Sequence, residues 1–253
     1  MAYVLAVTNQ KGGVGKTTTT VNLAAQLAAS HRRVVIVDLD PQGNSSSSLG
    51  VDKDQLDRTL YDTLIGDAKA SDIVQQTSTK NLYILPANAS LAQAEVDLVA
   101  LERREMRLKS VLSLIDADVV IIDCPPALGL LTINGLAAAD GVIIPVQAEY
   151  FALEGLSQLM QTLQLVRQGI NPRLKIFGIV LTMYTKRMVL SEQVKQEIAT
   201  HFGDKLFQTV IPRNIRLAEA PSYGKTIFEH DRWSKGARAY KSLASEVMKR
   251  GNF

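Results

Sequence analysis

The stretch that most restricts what this chain can fold into is Asn9-Gln10-Lys11-Gly12-Gly13-Val14-Gly15-Lys16-Thr17-Thr18. It follows the apolar run Tyr3-Val4-Leu5-Ala6-Val7, which reads as a buried strand, and precedes a helical pattern that begins at Lys16. Strand, glycine-rich turn and helix form the setting of a phosphate-binding loop. Glycines allow backbone N–H groups to converge on an anion, and the helix N-terminus adds partial positive charge. The common form of this loop has a glycine five residues before the Gly-Lys pair. Here that position is Gln10, and a second lysine, Lys11, opens the loop.

The rest of the chain repeats the alternation. Strands are predicted at 3–8, 33–38, 81–85, 118–123, 140–146, 175–182 and 206–211. Helices are predicted at 16–29, 59–65, 90–98, 101–115, 130–138, 152–169, 189–201, 214–219 and 236–250. This order predicts an α/β fold with a mostly parallel twisted sheet and helices on both faces. With 253 residues, 46% of them apolar, residues 1–253 are expected to form a single P-loop domain around a substantial core. Gly43-Asn44-Ser45-Ser46-Ser47-Ser48 is the most polar stretch and reads as a mobile loop beside the site. In sheets of this kind ligands bind beyond the carboxyl ends of the strands, and the polar motifs here sit there.

Lys16 opens the first helix, from which its ammonium can reach the β- and γ-phosphates of a nucleotide. Thr17 offers a hydroxyl to Mg²⁺, a cation that takes oxygen ligands and keeps several waters. The second strand ends in Asp38-Leu39-Asp40-Pro41-Gln42, whose two carboxylates can serve a metal shell and orient a water. Val119-Val120-Ile121-Ile122-Asp123 is an apolar strand ending in an aspartate, the pattern of a Walker B segment. Pro125-Pro126-Ala127-Leu128-Gly129, just beyond it, reads as a segment that senses the γ-phosphate.

Other chemistries find little support. The one cysteine, Cys124, excludes an intramolecular disulfide and reads as a small buried hydrophobe. The three histidines lie outside every motif, and no cysteine or histidine cluster has metal-ligand spacing. No apolar run approaches the ~20 residues of a membrane span, and the N-terminus has no signal-like segment, so a cytoplasmic location is expected. The formal charge is +3, but residues 211–253 carry nine Lys/Arg against four Asp/Glu. The basic character is concentrated there, which reads either as a solvated helical face or as a surface for an anionic partner.

Three motifs together carry a family resemblance: Lys11-Gly12-Gly13-Val14-Gly15-Lys16-Thr17-Thr18, Asp38-Leu39-Asp40-Pro41-Gln42-Gly43-Asn44 and Asp123-Cys124-Pro125-Pro126. The chain resembles the ParA/Soj partition ATPases of the deviant Walker A group, which also holds MinD. Further matches run from Pro145 to Gly155, Leu181 to Tyr184 and Ile211 to Ser222.

The resemblance implies a homodimer that sandwiches two ATP molecules with Mg²⁺. It implies that residues 11–18 (Lys11, Gly12, Gly13, Val14, Gly15, Lys16, Thr17 and Thr18) bind ATP, with Lys11 crossing to the partner's nucleotide. The sequence itself leaves the side that Lys11 serves open. Lys11, Lys16 and Asp40 would be catalytic, with Asp40 positioning the attacking water. Thr17, Asp38 and Asp123 would lie in the metal shell. Pro212 and Asn214 would line the adenine pocket. Arg187 and Arg216 would bind DNA without sequence preference, with Lys186, Lys235, Arg238, Lys241, Lys249 and Arg250 as further basic candidates on composition. A ParB-like partner would stimulate a slow intrinsic ATPase on the nucleoid.

The rival reading is a MinD-like membrane-positioning ATPase, which needs an amphipathic basic tail. The stripe Tyr240, Leu243, Ala244, Val247 and Met248 reads instead as core packing of a final fold helix, with the chain ending at Phe253. No membrane contact is therefore expected. Iron–sulfur reductases with the same loop need two cysteines per subunit, and kinase-type relatives carry tyrosine-rich tails. This chain has one cysteine, and only Tyr240 in its tail.

Overall fold

A computed structural model of the chain describes residues 2–149 and 152–252. Tyr150 and Phe151, inside the 145–155 match, and Phe253 at the end of the chain lie outside the described residues. β1 (Tyr3–Val7) leads through the glycine-rich turn to α1 (Lys16–Ala29), β2 (Val34–Asp38) and α2 (Asn44–Ser48). α3 (Leu60–Ile65), α4 (Ala70–Ile73), β3 (Gln75–Gln76) and β4 (Leu82–Leu85) follow. α5 (Ala94–Asp97), α6 (Arg107–Leu112), β5 (Val119–Asp123), α7 (Leu130–Ala138) and β6 (Gly141–Gln147) come next. The chain closes with α8 (Ala152–Gly169), β7 (Lys175–Thr182), α9 (Val189–Phe202), α10 (Ile215–Glu219), α11 (Ile227–Asp231) and α12 (Lys235–Gly251).

The strands form one sheet in the order β3-β4-β2-β5-β1-β6-β7. Every pairing is parallel except β3 with β4. Strand side chains alternate between faces, and the core divides accordingly. Ala6, Val35, Val37, Val120 and Ile122 face one apolar cluster, which α7 and α8 cover. Leu5, Val7, Ile36, Val119 and Ile121 face the other, which α1 and α12 cover. The expected α/β sheet with helices on both faces is therefore present.

The order of the strands positions the site. β5 lies between β1 and β2, with Val7 opposite Asp123 and Asp38 opposite Asp123 in the two registers. Three motifs far apart in sequence thus end side by side at one edge of the sheet.

Four expectations are corrected. Residues 206–211 do not form a strand. Phe207 and Ile211 donate N–H bonds to Ile179 and Leu181, but between them Gln208 and Thr209 give their N–H groups to the Glu246 carboxylate, at 2.9 and 2.8 Å. The ladder is interrupted before it can become regular. The predicted helix 101–115 narrows to α6 with a single 3₁₀ turn before it. Arg103 adopts a left-handed backbone, φ 52°, which stops a helix from running through. The predicted helix 90–98 is mostly 3₁₀, with only the four residues of α5 α-helical. The serine-rich stretch is not a mobile loop but α2, with Ser45, Ser46 and Ser48 buried.

The final helix behaves as the apolar stripe implies. Tyr240, Leu243, Ala244 and Val247 are buried and Met248 packs against their cluster. The Tyr240 hydroxyl meets Thr19 Oγ1 on α1 at 3.1 Å, inside the core. Replacing Tyr240 with phenylalanine leaves the buried Thr19 hydroxyl without this partner. The expected loss is about 1–2 kcal/mol of unfolding free energy, read as a lower urea midpoint at unchanged slope.

Candidate nucleotide site

The glycine-rich loop takes the shape its composition demands. Gly13 and Gly15 have φ of 72° and 87°. A Cβ on Gly15 would find only ordinary contact with Thr182, so conformation rather than space requires glycine there. The loop is tied down from two sides. Asn9 Nδ2 donates to the Pro145 carbonyl at 2.7 Å, and Thr182 Oγ1 donates to the Val14 carbonyl at 2.8 Å.

A cleft of about 600 Å³ opens over the loop. Gly12, Gly13, Gly15, Lys16, Thr17, Thr18 and Asp40 line it, with Pro125, Pro126 and Ala127 on the far side. A second, more apolar cleft of about 380 Å³ adjoins it and shares Gly15, Thr18 and Met183. Pro212 and Asn214 line this second cleft together with Ile211 and Leu217. Asn214 also caps α10, its Oδ1 accepting the Arg216 N–H at 2.8 Å. The two clefts together suit a charged group joined to a flat apolar one. Met183, between them, holds φ 49°, the strained kind of backbone that tends to sit at ligand sites.

Lys16 is mostly buried, and its Nζ donates to the Lys11 carbonyl at 3.2 Å. Burial lowers the Lys16 pKa, while Asp123 and Asp40 oppose that shift. Thr17 Oγ1 donates to Asp123 Oδ2 at 2.7 Å. Asp40 is only 8% exposed, and its Oδ1 accepts the Gln42 N–H at 2.9 Å.

Asp38 and Asp40 do not share one environment. β2 ends at Asp38, so the strand alternation stops before Asp40. Asp38 is fully buried behind the cleft, and its Oδ2 accepts both the N–H and the hydroxyl of Ser46, each at 2.7 Å. Its Oδ1 is buried without a partner among the described residues.

Burial raises the pKa of both Asp38 and Asp123. The charge of Asp123 pushes Asp38 further up, whereas hydrogen bonds from Thr17 and Ser45 hold Asp123 back. Two buried carboxyls side by side favour a nearby cation. No group of three or more His, Cys, Asp or Glu that could hold a metal exists among the described residues. Hydroxyl and carboxylate oxygens beside an anion cleft suit a hard cation that keeps waters and phosphate oxygens, as Mg²⁺ does.

Lys11 points elsewhere. It is absent from the lining of either cleft. Its Nζ pairs with Glu149 Oε2 at 3.0 Å, both side chains being nearly half exposed. The Gln147 side chain also donates to Glu149.

The two DNA candidates lie on neighbouring segments, Arg187 on a turn and Arg216 at the start of α10. An isolated bridge joins Tyr184 to Pro212, which brings the segments carrying Arg187 and Arg216 alongside each other, and both arginines are exposed. Lys186, Lys235, Arg238, Lys241 and Lys249 are exposed as well. Arg250 is committed to the fold: its Nη1 donates to the Phe177 carbonyl at 2.7 Å and its guanidinium lies over the Phe207 ring.

Three site residues escape the sequence reading. Ser45 Oγ donates to Asp123 Oδ2 at 2.8 Å, and Ser46 holds Asp38 as described above. Glu95 lines the cleft and accepts the N–H groups of Leu130 and Leu131, at 2.7 and 3.1 Å, which satisfies the start of α7. A serine run carries no helix signal, and a contact made 35 residues away leaves no local pattern. Gly43 was the available clue. It caps α2 at φ 60°, and a Cβ there would lie 2.6 Å from the Ala87 carbonyl.

Residues 2–176 match a family model described as an AAA domain. The sporulation initiation inhibitor protein Soj of Bacillus subtilis is 52% identical over 253 residues, covering 99% of this chain and 100% of that protein. The chromosome partitioning protein ParA of Myxococcus xanthus is 49% identical over 98% of this chain and 88% of that protein. Among solved structures, a protein called cobyrinic acid a,c-diamide synthase from Mycobacterium smegmatis, with bound ADP and magnesium, superimposes with a TM-score of 0.88 at 40% identity. The match covers 100% of this chain and 96% of that one.

Proposed function

The chain belongs to the ParA/Soj family of chromosome-partitioning ATPases, and on that premise we propose that it is a DNA-segregation switch that binds DNA as an ATP-loaded homodimer. The observation that carries this reading is the convergence at the ends of β1, β2 and β5. Lys16, Thr17 and Asp40 line one cleft, Thr17 is bonded to Asp123, and an apolar cleft adjoins.

ATP lies with its phosphates over residues 11–18 and its base in the cleft of Pro212 and Asn214. Lys16 reaches the β- and γ-phosphates from the start of α1. Thr17 and Asp123 would hold Mg²⁺, with Asp38 behind them, and the cation would supply charge to offset that on the phosphate oxygens. Asp40 orients the water that attacks the γ-phosphate. Lys11 leaves Glu149 and supplies its charge to the nucleotide of the partner subunit, where negative charge spreads over oxygens during transfer. Pro125 to Gly129 and α7 sense whether the γ-phosphate is present. The whole chain acts as one ATPase unit.

ATP thus selects one quaternary state, and hydrolysis removes the contacts that hold it. In that state Arg187 and Arg216 meet the phosphate backbone of nucleoid DNA. A ParB-like protein stimulates the otherwise slow hydrolysis and releases the dimer. The MinD-like alternative has less to support it. No helix among the described residues is long and apolar enough to cross a membrane, and the apolar stripe of α12 is spent on α1 and the sheet.

The direct test is ATPase activity and DNA co-retention, with and without non-specific duplex, at two salt concentrations. DNA retention that requires ATP and falls steeply with salt supports the reading. Liposome binding without DNA binding refutes it. Arg216→Glu is expected to weaken duplex binding by at least about tenfold and flatten its salt dependence, with nucleotide affinity unchanged. Unchanged retention on the duplex counts against this surface.

A further inference from the structure

Arg216 already has two acidic neighbours. Its Nη1 donates to Glu219 Oε2 at 2.9 Å, one turn along α10, and its Nε lies 3.6 Å from Asp231 Oδ2 at the end of α11. His230 Nε2 approaches the same Glu219 oxygen at 3.4 Å, and the Tyr223 ring stacks on His230 at 5.1 Å between centroids. The arrangement is built from both sides. Asn214 caps the helix that carries Arg216, and Asp231 Oδ1 accepts the Trp233 N–H at 3.1 Å. The Arg216 hydrogen bond, and then that of His230, holds the Glu219 carboxyl below its usual range.

Glu219 takes one Nη1 donor of the guanidinium and Asp231 adds a second negative charge beside it, so both carboxylates compete with a phosphate diester for that group. The three side chains are 53%, 36% and 33% exposed, so an incoming phosphate can reach and displace them.

We propose that Glu219 and Asp231 form an internal latch that competes with the DNA backbone for Arg216. The inference rests on the reading that Arg216 contacts DNA. A duplex that draws the guanidinium onto a phosphate does so against the pull of these two carboxylates. The latch therefore lowers affinity in every state and lets the protein release DNA quickly once the dimer is lost. Exposed ion pairs shift such an equilibrium by roughly 1.5- to 5-fold each, and a dimer presents two copies. Removing one of the two pairs in both copies is thus worth about 2- to 25-fold in duplex affinity.

The test measures binding of full-length protein to a non-specific duplex with ATP at two salt concentrations, alongside binding of a fluorescent ATP analogue. The variants are Glu219→Gln, Asp231→Asn, Arg216→Ala, the double variant Arg216→Ala/Glu219→Gln, and Glu102→Gln. Glu102 is an exposed carboxylate on the turn before α6 and controls for net charge. Glu219→Gln and Asp231→Asn are each expected to bind duplex about 2- to 25-fold more tightly. Glu102→Gln should change binding less than about 1.5-fold, and the double variant should match Arg216→Ala. Nucleotide analogue binding should stay level throughout, which reports an intact fold.

If Arg216→Ala weakens DNA binding but Glu219→Gln leaves it unchanged, the latch is wrong and the DNA surface stands. A gain in Glu102→Gln equal to that in Glu219→Gln also overturns it, as does a gain that persists in the double variant. Wild-type DNA binding by Arg216→Ala overturns the latch and the DNA role of Arg216 together.

Discussion

Asp40→Ala is expected to reduce ATP turnover by about 10²–10³-fold while ATP affinity stays within about 3-fold. The carboxylate lines the phosphate cleft with Lys16 and Thr17, yet it is held by the Gln42 N–H rather than by the loop that grips phosphate. Removing it therefore takes away a water-orienting acceptor and leaves the phosphate cradle intact. Loss of a negative charge near the phosphates, if anything, favours binding. Single-turnover hydrolysis and equilibrium binding of ATP measure the two effects separately. The variant should also accumulate as the ATP dimer, because nothing then ends that state. Hydrolysis persisting near the wild-type rate would refute the assignment and point to a water held by backbone groups.

Asp40 also illustrates what could be read from sequence. The spacing of Asp38 and Asp40 placed both at a strand end, and both are there. Their surroundings differ, because Asp38 is fully buried whereas Asp40 lines the cleft. The phosphate loop and the stripe on α12 were legible because their signals are local: glycines before Lys-Thr, and apolar residues at helical spacing. The family resemblance then added positions, Pro212 and Asn214 among them, that are a turn before a helix by any local measure. What stayed hidden depends on contacts between distant segments. That β5 inserts between β1 and β2, bringing Asp123 beside both Asp38 and the loop, is decided by the packing of the whole sheet. Ser45 and Ser46 reach Asp123 and Asp38 only because α2 folds under the site, and serines are weak helix formers whose polarity suggests exposure. The segment 206–211 misleads for the same reason. Its β-branched pattern is real, but a single carboxylate on α12 draws two of its N–H groups away from the sheet.

Lys11→Ala carries the other large expected effect. Two lysines flank the loop, and the structure separates their environments. Lys16 is buried on the cleft and folded back onto the loop, whereas Lys11 lies outside the cleft, nearly half exposed and paired with Glu149. A lysine that served its own nucleotide would be expected in the lining beside Lys16. One that serves a second subunit must be reachable from outside, and an exposed ion pair costs little to break. Lys11→Ala should therefore leave ADP affinity within about 3-fold and abolish the ATP-dependent dimer, a loss of at least about 10²-fold in dimer affinity, as for removal of a charge-assisted donor to phosphate. Turnover should fall with the dimer. Sedimentation in ADP and in a non-hydrolysable ATP analogue reads the first two quantities, and a parallel ATPase assay reads the third. Glu149→Gln provides the converse: it removes the pairing carboxylate, and dimerisation should strengthen by about 2- to 5-fold. If Lys11→Ala weakens ADP binding as much as it weakens the dimer, the lysine works on its own nucleotide. The Glu149 pair would then be a resting contact with no bearing on assembly.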